Sequence, residues 1–240
     1  MHPKTSSTIL LFCLSVTAIA GCQSSQIIDP PIEESDYRAA EPIARTKLQP
    51  LRESVTIYQM IQGKLAGQKL SSIVTKTAEH NWRVEMKGLR VIYIQEQDGS
   101  LLVKGEDDFG ENIATRYDPP IPVFPAKISE STIAKGKCSM RVVGLNDGLP
   151  RDSGTCEYET TLLGMKKIKT PGGTFDAYFI RTVRHMKLRF ATAVITVVEA
   201  YVPDHGLVSE HVHRKSRMLG LIEKTVIEEF ALSEHGLPDR

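Results

Sequence analysis

The 240 residues hold none of the short signatures that mark common chemistries. Lys135-Gly136-Lys137 comes nearest to a phosphate-cradling loop, but Ala134 precedes it and the glycine spacing of a P-loop is missing. No Gly-x-Ser-x-Gly elbow presents a serine nucleophile, and no His-Glu-x-x-His motif supplies paired zinc ligands. Charge of one sign is lacking as well: 30 Lys and Arg stand against 29 Asp and Glu. Phosphate backbones are bound by basic surfaces, so nucleic acid is not an expected partner. Long apolar runs are scarce. The one candidate, Ile9–Ala20, is shorter than the roughly 20 residues needed to span a hydrocarbon core as a helix.

That run has another use. Lys4 and the amino terminus place positive charge before it, and its length suits the apolar region of a secretory signal. It ends in Ile19-Ala20-Gly21-Cys22, which resembles the lipobox of bacterial lipoproteins. The resemblance implies cleavage before Cys22 and acyl chains, palmitate among them, attached to that residue. It also implies anchoring to a membrane, with the folded body outside the cytoplasm. Each buried methylene contributes ~0.8 kcal/mol, so two or three chains hold where one would not. Gln23 stands where aspartate signals inner-membrane retention in enterobacterial relatives, which favours the outer membrane, facing the periplasm. Residues 1–21 are therefore expected to be a signal peptide. Residues 22–50, with Pro30, Pro31, Pro42 and Pro50, are expected to be a lipidated tether. Lys4 is the only charged residue among the first 21, so the mature chain carries 29 of each sign.

Residues 51–240 read as one β-rich domain. Trp82, Val84 and Met86 alternate with Arg83, Glu85 and Lys87, and Met186, Leu188 and Phe190 alternate with Lys187 and Arg189. Strict alternation puts every second side chain on one face, as in a half-buried strand. Gln97-Asp98-Gly99-Ser100, Pro171-Gly172-Gly173 and Pro203-Asp204-His205-Gly206 supply turns between further β-rich runs. Pro119-Pro120-Ile121-Pro122 cannot donate to a central ladder and suggests an extended crossing between two halves of a sheet. Met218, Ile222, Val226 and Phe230 recur at i, i+4, which allows a short helix near the C-terminus; Thr225–Ile227 suits a strand equally.

Of the four cysteines, Cys13 belongs to the signal and Cys22 takes the lipid. Cys138 and Cys156 then form an even pair in an oxidising compartment, and a disulfide between them is expected. A hairpin centred on Asp147 would put them directly opposite each other. His211 and His213 share strand parity, with His205 in the turn before them, but Glu210 has the wrong parity to complete a metal site. The Asp107-Asp108 pair, between Gly105 and Gly110, reads as a solvated loop rather than an acid–base couple. No catalytic residue, metal site or cofactor is expected.

Three stretches together resemble a group of uncharacterised bacterial envelope proteins: Tyr117–Pro125, Thr170–Ala177 and Tyr201–Val208. Those proteins look similar to the lipoprotein-carrier half-barrel. The resemblance implies a mainly β fold, a single curved antiparallel sheet with an apolar concave face. A helix, an envelope protein partner, or a lipid or other apolar ligand would cover that face. The stripes Trp82, Val84, Met86 and Met186, Leu188, Phe190 are the candidate ligand-binding residues. The expected role is non-enzymatic: an envelope lipoprotein that binds an apolar ligand or, alternatively, a structural or assembly lipoprotein that docks proteins on its sheet.

Overall fold

A computed structural model describes residues 37–129 and 132–234. The signal (1–21), Cys22 and the first part of the expected tether lie outside the described residues. The described residues are mostly strand. A two-residue strand β1 (Ile43–Ala44) and a single helical turn α1 (Arg45–Leu48) come first. They precede β2 (Ser54–Gln62), β3 (Lys69–Ala78), β4 (Asn81–Met86), β5 (Arg90–Gln97), β6 (Ser100–Asp108) and β7 (Ile113–Phe124). The short β8 (Lys127–Ile128) pairs only with β1. The long strands β9 (Thr132–Gly144), β10 (Pro150–Thr170), β11 (Gly173–Leu188), β12 (Ala191–Val202), β13 (Gly206–Met218) and β14 (Ile222–Glu234) follow.

Apart from β1 and β8, every strand pairs antiparallel with its neighbours in sequence, and β14 returns to β2. The expected half-barrel is therefore a closed barrel of twelve strands. An open sheet leaves two edges of unpaired N–H and C=O groups, and pairing Phe230 with Met60 removes both. Bulges help the sheet to curl: register shifts occur at Tyr93/Ile94, Val103/Gly105, Leu162/Gly164 and Ala200/Tyr201. The proline cluster sits inside β7, which changes partners there. Its β9 pairing ends at Asp118, and its β6 pairing lapses between Arg116 and Ile121. Pro119 and Pro120 thus fall where no ladder donor is required.

The possible C-terminal helix is strand β14. A four-residue spacing is an even spacing, so Ile222, Val226 and Phe230 share one strand parity as readily as one helix face. Residues 37–50, expected as part of the tether, instead pack on the barrel: Leu48 is fully buried and Arg45 is 2% exposed. The Arg45 guanidinium donates to the Gly99 carbonyl and pairs with Glu96, and Asp204 N–H donates to the Lys47 carbonyl. These contacts join the β5–β6 and β12–β13 turns, so α1 plugs that end of the barrel.

The outer wall is charged. Lys135 and Lys137 on β9 meet Glu159 and Glu157 on β10 at 2.8 and 2.9 Å, in direct cross-strand register. Membrane-spanning barrels carry an apolar band outside and a polar lumen; here the apolar side chains point inward, in three contiguous clusters. Cys138 and Cys156 lie opposite each other in register, as expected, but no disulfide joins them. Both are buried thiols, with Cys138 Sγ against the Cys156 carbonyl at 3.7 Å.

Candidate functional site: the barrel lumen

The inward residues of β11 are Ile180, Thr182, Arg184, Met186 and Leu188; those of β12 include Ala193, Ile195, Val197, Glu199 and Tyr201. Alternation carries charged residues into the lumen at Arg184 and Glu199, and the same happens at Arg90 on β5, Glu106 and Asp108 on β6, and Glu210 and Arg214 on β13. These side chains border a cavity of about 300 Å³. It runs from Gln49 behind the plug to Ala191 and Met218 beside the turns of the opposite end. The rest of its wall is mainly apolar, with Ile92, Ile113, Met140, Val142, Ile195 and Val212 prominent and a few hydroxyl residues such as Thr115 and Thr182 among them.

The charges in this wall pair across the barrel. Arg184 reaches Glu106 at 3.3 Å, and Arg214 reaches Asp108 at 3.0 Å. Arg90 pairs with Glu210, whose side chain is 3% exposed. At the far rim, Lys224 of β14 pairs with Glu111 of the β6–β7 turn at 2.6 Å. Asp107 turns the other way and binds Arg116 at 2.8 Å and the Tyr93 hydroxyl at 2.7 Å. Asp107 and Asp108 are therefore strand residues with cationic partners rather than a solvated loop pair. Buried charges of this kind are tolerated only when paired and hydrogen-bonded.

One carboxyl departs from the pattern. Glu199 lies directly opposite Glu210 in the β12–β13 register. Opposed residues hold their Cβ atoms ~4.5–5.5 Å apart, where like charges repel. Arg90 serves Glu210, while Glu199 accepts only the Tyr201 hydroxyl, at 3.0 Å. Burial, and then the charge of Glu210, push the Glu199 carboxyl up to about 7. Glu106 behaves in the opposite way. Burial alone would raise it, but Arg184 and the Tyr117 hydroxyl, 2.8 Å away, hold it below the usual carboxylate range. Burial and Glu106 drive Tyr117 well above its ordinary value, and burial and Glu199 do the same to Tyr201. On residues that line the cavity, buried atoms without a hydrogen-bond partner include Glu210 Oε1, Asp107 Oδ1, Arg184 Nε and Arg214 Nε.

The expected ligand-binding stripes divide. Met186 and Leu188 line the cavity. Phe190 stands in the β11–β12 turn, 52% exposed. Trp82 and Met86 are buried in core clusters but do not line the cavity, and Val84 packs against the cluster that holds Trp82. The histidines do not converge: His211 lies 3.7 Å from Glu229 of the neighbouring strand, and His205 stacks near Phe175 in its turn. Among the described residues no group of three or more His, Cys, Asp or Glu is placed to hold a metal. The charged belt was the missed feature. Its signal is parity: Arg90 with Ile92 and Ile94, Arg184 with Met186 and Leu188, Glu210 with Val208 and Val212.

No family model and no curated protein matches this chain. Among solved structures it is similar to a protein from Bacteroides fragilis, provisionally named as an exported protein with a YmcC-like fold. That match has a TM-score of 0.45 and 11% identity, and covers 81% of this chain and 100% of the other. It is also similar to a protein from Parabacteroides distasonis, provisionally named as a lipoprotein. There the TM-score is 0.41 and the identity 13%, over 78% of this chain and 96% of the other.

Proposed function

We propose that this chain is a non-enzymatic envelope lipoprotein, anchored through Cys22 at the outer membrane, whose barrel lumen binds an apolar chain. The observation that carries the reading is the cavity. At about 300 Å³ it reaches the lower end of the ~300–1,000 Å³ usual for small-molecule sites. Its walls combine apolar side chains from several strands with a few fixed polar groups, the usual composition of such sites. It also extends to an end of the barrel whose turns expose Phe109, Leu149, Phe190, Leu219 and Leu221. Exposed apolar residues gathered at one end mark a place where a lipid surface or an apolar partner meets a protein.

The test uses the secreted chain with Cys22→Ala, purified from the periplasm without detergent. Native mass spectrometry is expected to show one lipid-sized adduct per barrel. Val197→Trp, which fills the cavity from β12, is expected to remove the adduct while the strand signal in circular dichroism stays. A wild-type barrel that never carries or takes up an apolar molecule would end this reading.

A second reading rests on the exposed turns alone: an assembly lipoprotein that docks a partner at this rim. It expects a stable protein complex that is lost in a Leu219→Asp, Leu221→Asp variant whose lipid content is unchanged.

A further inference from the structure

The lumen keeps a one-to-one account of charge. Arg90, Arg184, Arg214 and Lys224 each have a carboxylate partner: Glu210, Glu106, Asp108 and Glu111. Asp107 has Arg116 as its cation. Among the described charged side chains lining the cavity, Glu199 alone is left without a cation. A second observation points to the same spot. Glu210, the residue opposite Glu199, also lines the cavity; it is 2% exposed, and its Oε1 has no hydrogen-bond partner. Two carboxyl groups thus present one unused acceptor and one uncompensated charge to the same space. Toward the open rim, β12 continues with Val197, Ile195 and Ala193, all lining the cavity. Toward the plug stands Tyr201, whose hydroxyl orients Glu199.

We propose that the lumen selects a ligand bearing an ammonium group on an apolar chain, the ammonium lying between Glu199 and Glu210 and the chain running along Val197 and Ile195 toward the rim. An ammonium has three donors and no acceptor. It can donate to Glu199 and to Glu210 Oε1 together, and it supplies the positive charge the site lacks. A hydroxyl at the same place donates once and leaves the charge uncompensated. A carboxylate adds a third negative group and is excluded. Charge-assisted hydrogen bonds are roughly twice as strong as neutral ones.

This inference rests on the lumen being the ligand site, and the probes are chosen to separate the two claims. Octylamine, 1-octanol and octanoate share one tail and differ in the head. Each is titrated calorimetrically at pH 8 into the secreted Cys22→Ala chain and into the same chain with Glu199→Gln. Octylamine is expected to bind at least about tenfold more tightly than octanol, which corresponds to ~1.4 kcal/mol. Octanoate is expected to bind weakest. Glu199→Gln is expected to bring octylamine to within about twofold of octanol. Equal binding of amine and alcohol by the parent chain, or an amine preference that survives Glu199→Gln, would overturn the ammonium assignment and leave the lumen reading standing. Failure of all three probes would remove both. If the variant does not fold, the parent chain decides by pH. The groups facing Glu199 are Glu210 on β13, Arg90 on β5, Arg184 on β11, Tyr58 on β2 and Tyr201 on its own strand. Burial and then the charge of Glu210 push the Glu199 carboxyl up to about 7. The amine-to-alcohol ratio is therefore expected to rise between pH 5.5 and 8, and a flat ratio overturns the assignment.

Discussion

Glu199 and Glu106 sit in the same lumen, and their surroundings move them in opposite directions. Glu199 is raised to about 7, so the folded protein holds a proton there that the unfolded chain releases near 4.5. Its contribution favours folding most below that unfolded value and is lost as pH rises toward 7. Urea denaturation at pH 5 and pH 8 is expected to show that Glu199→Gln loses less stability than the parent across this interval. Glu106 is lowered, so its contribution is present above the unfolded value and fades as pH falls through the folded one. Its partner gives a second prediction. Arg184→Met leaves Glu106 facing the lumen without its cation and should cost about 2–3 kcal/mol. That is somewhat less than the ~3–5 for a fully buried pair, because both groups keep some access to the cavity. The double change Arg184→Met, Glu106→Gln should recover most of the loss, as measured by the denaturation midpoint.

At the scale of the element, the β10–β11 contact and the plug are the sensitive places. Gly154 opposes Leu188, and a Cβ there would lie 1.9 Å from the Lys187 carbonyl oxygen. Backbone must move to admit any side chain. Gly154→Ala is therefore expected to destabilise by about 1–3 kcal/mol, the usual cost of overpacking, with thermal unfolding as the readout. The Arg45 side chain, 2% exposed, holds α1 to the β5–β6 hairpin, and Arg45→Ala strands Glu96 as well as the Gly99 carbonyl. A loss of roughly 2–4 kcal/mol is expected, with faster proteolysis around residues 37–50. How legible these elements were follows from the range of their causes. Strands such as Asn81–Met86 and Gly173–Leu188 announce themselves because alternation is local. The plug does not, because prolines at 42 and 50 look the same whether a chain runs free or packs. Nor does the inward direction of Arg184 and Glu210 stand out while charge is taken as a sign of solvent; only their parity with Met186 and Val212 reveals it.

At the scale of the whole molecule, closure is the property no local pattern carries, because β2 and β14 meet across almost the entire domain. Their ladder is short and shifts register twice, between Glu229/Phe230 and Leu232/Glu234. The β10–β11 ladder runs from Gly154 to Thr170 with one bulge. Amide hydrogen exchange is therefore expected to reach β2 and the second half of β14 well before the centre of β10, by local opening rather than global unfolding. Uniform protection around the ring would contradict this. The same seam governs the order of assembly. Each hairpin from β2 to β13 can zip onto the one before it as residues become available, since only short turns intervene. The ring cannot shut until residues 229–234 arrive. A chain halted before Ile222 would be a broad sheet with β2 and β13 bare along its two margins, a template for joining other copies. The last strand thus acts as a latch, and a nonsense codon a few residues upstream of it should convert a closed barrel into an aggregate.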